Sequence, residues 1–152
     1  MLIAMLFWAL TLLCCGYAIG FGGRDGRWAA FLILAASALS LPPMLMGSSY
    51  AETELIIFAI DLLLLCGLYA LMISSRRYWP IWMTGFHLIA VVTHLSSLLA
   101  PSFAPLIYWA MGSFWAIPMP LALLVGVELD RRAAGRVRLS AVARGGGTHD
   151  EP

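Results

Sequence analysis

Apolar residues form long uninterrupted stretches in this chain, and short polar segments separate them. Five of the stretches reach about 20 residues, the length that an α-helix needs to cross about 30 Å of hydrocarbon. The pattern therefore predicts five transmembrane helices, at residues 1–21, 28–47, 55–73, 81–100 and 106–127. The segments between them are only five to seven residues long, so consecutive helices should run antiparallel in an up-down bundle.

The composition agrees with a membrane protein and excludes most other classes. Of the 152 residues, 62% are hydrophobic and 11% are charged, and the mean hydropathy is +0.90. A soluble domain with a polar surface does not have this composition. The sequence thus predicts an all-α, polytopic membrane protein with a transmembrane domain at residues 1–127. Residues 128–152 are too poor in apolar side chains to form a core, and we expect a basic tail that is partly disordered and begins with a short amphipathic helix.

The arginines predict the orientation of the chain. All nine basic residues are arginines, and they follow the first, third and fifth predicted spans only. The positive-inside rule then places the N-terminus outside and the tail in the cytoplasm. The six arginines nearest the spans form a predicted basic rim for anionic lipid or a partner protein: Arg24, Arg27, Arg76, Arg77, Arg131 and Arg132. The net charge of +1 leaves no basic surface of the kind that binds nucleic acid.

Prolines and glycines predict local irregularity in the bundle. Pro42 and Pro43 lie late in the second span, and Pro118 and Pro120 interrupt the fifth, so we expect kinks at both places. A GxxxG spacing at residues 16–20 permits close approach of another helix, either within the chain or from a second copy.

Three ionisable side chains lie well inside the apolar spans: Asp61, His87 and His94. Such groups are costly in hydrocarbon, so they normally face protein or water and find a partner. The turn between the third and fourth spans is centred near residue 77, and residues of an antiparallel hairpin whose numbers sum to about 155 lie at the same height. This arithmetic predicts that Asp61 lies level with His94, and that Tyr69 lies level with His87.

This polar group allows several interpretations. It can be a hydrogen-bonded clamp between two helices, or a site that handles protons or binds a ligand, because histidine titrates near neutral pH. Haem ligation is a further alternative, but a bis-histidine haem would need an imidazole from another span or from a second copy of the chain. The cysteines show no metal-binding or disulfide spacing, and no familiar catalytic motif occurs, so we predict no catalytic residue, metal or cofactor.

One block resembles a segment of known proteins. It comprises Tyr78-Trp79-Pro80-Ile81-Trp82 and continues through Gly85-Phe86-His87 to Thr93-His94-Leu95. This block is similar to a segment of small uncharacterised inner-membrane proteins of alphaproteobacteria. The resemblance implies a multi-pass protein of the bacterial cytoplasmic membrane, and it implies no reaction, cofactor or catalytic residue.

These observations favour a non-enzymatic membrane protein that binds or scaffolds another component. The expected partners are membrane lipids and either a second copy of the chain or another membrane subunit. One alternative is a proton-coupled or ligand-conducting membrane protein, and a further alternative is a haem- or quinone-associated subunit of an electron-transfer complex.

Overall fold

A computed structural model describes residues 2–42, 50–99 and 117–145 of the chain. The regular structure in these ranges is entirely α-helical, and no strand occurs among them. The five helices are α1 (Leu2–Phe21), α2 (Gly23–Leu39), α3 (Tyr50–Ser74), α4 (Trp79–Leu99) and α5 (Pro118–Gly145). The all-α prediction is thus confirmed for the described residues.

The five helices form a closed ring. Each helix packs on the next one along the chain, and α5 closes the ring by packing on α1 as well as on α4. Small side chains of α1 and α2 face larger ones of the other helices, so the centre is filled. The buried core consists of Cys15, Ala18, Ala29, Ala30, Ile33, Leu64, Leu68, Leu71, Trp79, Met83, Met119, Leu123 and Val127.

The connection between α1 and α2 is much shorter than predicted. Residues 22–27 were expected to form a loop, but Gly22 alone separates the two helices, and α2 already begins at Gly23. The reason is backbone geometry: Gly23 has φ +64°, a conformation that L side chains rarely adopt. A Cβ at Gly22 would stand only 2.5 Å from the carbonyl oxygen of Ala18, so the tight turn requires glycine there as well.

The prolines of the described residues lie near helix ends. α2 ends at Leu39, three residues before Pro42, and Leu41 and Pro42 are themselves helical. Pro118 and Pro120 lie in the first turn of α5, where the helix has no internal N–H bond to lose. Residues 100–116 and 43–49 lie outside the described residues, so the kinks predicted at Pro118 and Pro120 and at Pro42 and Pro43 stay predictions.

α5 continues without a break into the segment predicted as a tail. The helix runs through Pro118–Gly145, and every described side chain in residues 131–141 is exposed, so its second half projects beyond the ring. The predicted boundary at residue 128 lies within this helix. Residues 106–116 of the predicted fifth span and residues 146–152 of the predicted tail lie outside the described residues.

Among the described helices, one is long and apolar enough to cross a membrane by length and composition. This is the stretch Leu55–Ser74 of α3, and a shorter apolar stretch is Met5–Phe21 of α1. α2 begins with charged residues within its first turns, and α5 is apolar only before Glu128. The finding supports one candidate membrane span, and the prediction of five spans goes beyond it.

The GxxxG glycines of α1 mediate no packing among the described residues. Gly16 and Gly20 are exposed, and a Cβ at either would meet no atom within 4 Å. Close approach occurs instead at Gly67, where a Cβ would stand 2.9 Å from a methyl group of Leu32. The close approach that the spacing at residues 16–20 permits is therefore not made by the described residues of this chain.

Candidate functional site

The hairpin of α3 and α4 brings Asp61 and His94 together. The two helices are joined by a four-residue connection at Ser75–Tyr78, so they run antiparallel side by side. His94 Nε2 lies 3.4 Å from Asp61 Oδ2, a distance at which an ion pair forms when the imidazole is protonated. The predicted level pair is therefore present. The two side chains keep 27% and 20% of their surface exposed, so the pair opens to the outside of the ring.

His87 joins the same group through the main chain of α3. Its Nε2 donates a hydrogen bond of 2.9 Å to the carbonyl oxygen of Asp61, and the His87 side chain is only 6% exposed. Because a carbonyl oxygen can only accept, this contact fixes the proton of a neutral His87 on Nε2. We call Asp61, His87 and His94 the Asp61 cluster: one aspartate residue contacts a partly exposed imidazole and a buried one.

Tyr69 lies on the exposed surface of α3. Its side chain is 55% exposed, whereas His87 is buried and donates to Asp61, eight residues earlier in α3. The hairpin arithmetic predicts only that Tyr69 lies level with His87, and equal height does not fix which way a side chain faces around its helix. Tyr69 is therefore outside the Asp61 cluster.

Three hydroxyl side chains of α4 bond to their own helix. The hydroxyl groups of Thr84, Thr93 and Ser96 each donate to the carbonyl oxygen four residues earlier, at 2.8 Å. These bonds satisfy the hydroxyl groups within the helix, as is common for Ser and Thr in apolar helices. They leave the two histidines as the side chains of α4 that reach across to α3.

The geometry offers no metal centre in the described part of the chain. No group of three or more His, Cys, Asp or Glu side chains there could hold a metal ion. The described cysteines, Cys14, Cys15 and Cys66, are free thiols. The Asp61 cluster is therefore described by its hydrogen-bonding and ion-pair chemistry.

A second polar group joins three helices at the end of the ring where α1 ends and α2 begins, which we call the basic end. Arg77 Nη1 donates to Asp130 Oδ2 at 2.8 Å, and Arg77 Nε lies 3.6 Å from Asp25 Oδ2. The indole Nε1 of Trp79 donates to the same Asp130 oxygen at 3.0 Å. The hydroxyl group of Ser75 donates to Asp25 at 2.8 Å. Arg77 thus ties α2 and α5 to the connection between α3 and α4.

A third polar group links the end of α1 to α5. The hydroxyl group of Tyr17 donates to Glu128 Oε2, and Arg132 Nε donates to Glu128 Oε1 at 2.7 Å. These two donors, the tyrosine first, hold the pKa of the Glu128 carboxyl below its ordinary value of 4.5. Arg131 donates to the Tyr17 hydroxyl oxygen at 3.1 Å and stacks over the ring of Phe21.

The six arginines predicted as a basic rim do lie at the basic end, but they differ in exposure. The segments that carry them meet there, because Arg77 contacts both α2 and α5. Arg24 is 83% exposed, whereas Arg77 is half-buried among carboxylates. Arg27, Arg76, Arg131 and Arg132 are exposed. The rim is therefore a mixed network in which some arginines hold the helices together and others remain open to a ligand.

Sequence reasoning missed the acidic and aromatic members of this network. They are Tyr17, Asp25, Trp79, Glu128 and Asp130. A signal was present: each acidic residue lies within three positions of an arginine, which is typical of a region where charges neutralise each other. Trp79 belongs to the block that resembles alphaproteobacterial proteins, and it is buried in the core.

Comparisons with protein families, with curated proteins and with solved structures find no match to this chain.

Proposed function

We propose that this chain is a five-span protein of the bacterial inner membrane that binds or scaffolds another membrane component at the Asp61 cluster. In this proposal the N-terminus is outside, the basic end faces the cytoplasm, and the protein is not an enzyme. The observation that carries the proposal is the Asp61–His94 pair, which lies in an apolar hairpin and keeps part of its surface open.

Membrane insertion is supported by the surface of α3. Only 22% of the Leu55–Ser74 stretch is buried within the protein, although its side chains are strongly apolar. The core helix of a soluble protein would be mostly buried, because exposing such a surface to water is unfavourable. Two further observations support five spans. The other helices also have apolar stretches, and all described arginine-bearing segments lie at one end of the ring.

The open Asp61–His94 pair supports binding. A carboxylate and an imidazole that face acyl chains are costly, so such groups are normally covered by protein, water or a ligand. Leu62 and Leu63 beside Asp61 are exposed and apolar, so the polar pair is a small patch on an otherwise lipid-compatible surface. A polar group of a second membrane subunit would cover this patch favourably.

Native mass spectrometry after extraction in mild detergent tests this proposal. We expect the wild-type chain to carry a stoichiometric partner, either a second copy or another membrane protein. The Asp61→Asn variant, which keeps the shape and removes the charge, should lose that partner. Cys66→Ser is the matched control, because Cys66 is an exposed residue of the same helix. A wild-type chain that is monomeric, or a complex that survives Asp61→Asn unchanged, would contradict the proposal.

A proton-coupled or ligand-conducting protein is a second candidate, and one observation favours it. The buried His87 and the partly exposed His94 both lie on Asp61, so titratable groups extend from the surface of the hairpin into the interior. Purified protein in vesicles with an internal pH-sensitive dye tests this alternative. Asp61→Asn should abolish pH-dependent flux while helix content by circular dichroism is retained, and an unchanged pH dependence would reject it. The haem or quinone alternative gains no specific support, because both described histidines contact Asp61.

A further inference from the structure

An open, shallow cavity on the outer face of α2 combines two arginines with two aromatic rings. Its volume is about 390 Å³, and it is lined by Arg24, Arg27, Trp28 and Phe31. These residues lie within one stripe of the helix, because their spacing of three, one and three residues keeps them on the same face. The cavity therefore has a charged half at the basic end and an aromatic half further along the helix.

The charged half provides hydrogen-bond donors. Arg24 is 83% exposed, and its closest carboxylate contact, to Asp25, is 3.9 Å long. Arg27 Nε donates to the carbonyl oxygen of Gly23 at 3.2 Å, which orients the guanidinium and leaves its two terminal nitrogens directed away from that bond. Two guanidinium groups a single turn apart suit a phosphate, whose oxygens accept several hydrogen bonds at once.

The aromatic half leads into an apolar track. The rings of Trp28 and Phe31 are exposed and meet edge to face at 6.0 Å. Ala35, Ala38 and Leu39 continue the same stripe, and the two last are exposed. The track from Arg24 to Leu39 is about 22 Å long at 1.5 Å per residue. Its order, charge then aromatic rings then small and apolar side chains, matches the order of headgroup, interface and acyl chain in a phospholipid.

We propose that this face of α2 binds one anionic phospholipid, with the phosphate on Arg24 and Arg27 and an acyl chain along Trp28 and Phe31. A soluble phosphate compound would use the arginines but not the apolar track, and a second protein helix would not need the two open guanidinium groups. The inference rests on the proposed function in one respect, because it takes α2 to lie in a bilayer.

Native mass spectrometry of the detergent-purified chain, with equal amounts of phosphatidylglycerol and phosphatidylcholine added, tests the site. We expect preferential retention of one phosphatidylglycerol. The double variant Arg24→Gln/Arg27→Gln should lose this preference by roughly ten- to thirty-fold, since each arginine near a membrane surface contributes a several-fold preference for anionic lipid. Arg136→Gln/Arg138→Gln is the control, because it removes the same charge from the projecting half of α5. Equal losses in the two double variants would overturn the site.

Two further measurements separate a lipid from a free anion. Trp28→Ala/Phe31→Ala should weaken phosphatidylglycerol retention although both arginines remain, and unchanged retention would overturn the role of the track. Millimolar inorganic phosphate should not displace the lipid, and displacement would show a site for the phosphate alone.

The failure of this site and the failure of the proposed function give different results. If the chain stays soluble without detergent and does not insert into phosphatidylglycerol vesicles, the proposed membrane location fails. If it inserts but retains both lipids equally, only the lipid site fails. Circular dichroism of each variant confirms that the helices are intact.

Discussion

Gly126 of α5 lies directly against the Trp79 side chain of α4. A Cβ at Gly126 would stand 2.2 Å from Trp79 Cβ and 2.4 Å from its Cγ, far inside the contact distance of two carbon atoms. Trp79 is buried, and its indole nitrogen is held by Asp130 one turn further along α5. The ring therefore closes between α4 and α5 only because residue 126 has no side chain.

Gly126→Ala should destabilise the protein by about 2–3 kcal/mol, because either Trp79 or the backbone of α5 must move to admit the methyl group. The free energy of unfolding, measured by denaturant titration in mild detergent, checks this. Gly135→Ala in the same helix is the matched control: nothing lies within 4 Å of its Cβ, so the variant should be stabilised by up to about 1 kcal/mol through helix propensity. Equal effects of the two substitutions would contradict the close packing.

The Asp61–His94 pair could be predicted from the sequence because the heights of the two residues depend only on the helical rise and on the centre of the hairpin. The rise per residue is fixed in any α-helix, and the short connection fixes the centre of the hairpin, so the heights of Asp61 and His94 follow from their numbers. Rotation about each helix axis does not follow. That is why equal height does not bring Tyr69 into the Asp61 cluster, and why the bond of His87 to a main-chain carbonyl could not be predicted.

Contacts between helices distant in sequence could not be predicted in the same way. Arg77 reaches Asp130 only because α5 closes the ring against α4 and α1, and it reaches Asp25 only because α2 packs on α3. No local pattern encodes either contact. The tight turn at Gly22 could not be predicted for another reason: residues 22–27 combine glycines with charged side chains, which is typical of a loop, although the charged residues belong to the first two turns of α2.

Arg77 should couple more strongly to Asp130 than to Asp25, because the two separations are 2.8 and 3.6 Å. Two double-mutant cycles, each with Arg77→Gln and with either Asp130→Asn or Asp25→Asn, measure the coupling free energies of unfolding. We expect about 0.5–1 kcal/mol for the cycle with Asp130 and less for the cycle with Asp25, since both pairs are partly exposed. A larger coupling to Asp25 would contradict the geometry of the basic end.

Acid should weaken the link between α1 and α5 through Glu128. The Tyr17 hydroxyl and Arg132 lower the pKa of this carboxyl in the folded protein, so its stabilising contribution is present above the ordinary value of 4.5 and is lost as the pH falls through the lower folded value. The thermal unfolding midpoint between pH 7 and pH 3 checks this. The wild type should lose stability below pH 4.5 more steeply than Glu128→Gln.

Two substitutions control the Glu128 measurement. Tyr17→Phe removes the donor that contributes most to the lowered pKa, so it should flatten the acid side of the profile in part. Arg136→Gln changes the charge of an exposed residue four positions after Arg132 and should leave the profile unchanged. A Glu128→Gln profile as steep as that of the wild type would show that other carboxyl groups cause the loss.

Cysteine labelling distinguishes five spans from a single span at Leu55–Ser74. In both cases Ser48, in the loop predicted before the third span, and Tyr78, after it, lie on opposite sides of the membrane. Arg24 decides between them: with a single span it lies on the side of Ser48, whereas with five spans it lies on the side of Tyr78. Arg24 and Tyr78 are both highly exposed, so a maleimide can reach a cysteine at either position.

We expect a membrane-impermeant maleimide to label Ser48→Cys in intact cells, in a chain whose three native cysteines have been replaced by alanine. Arg24→Cys and Tyr78→Cys should react only after the membrane is permeabilised, because the positive-inside rule keeps the arginine-bearing segments in the cytoplasm. Removing one of nine arginines leaves the charge asymmetry that sets the orientation. Labelling of Arg24→Cys from outside, together with Ser48→Cys, would show that the protein has the single span. That result would contradict the proposed five-span bundle.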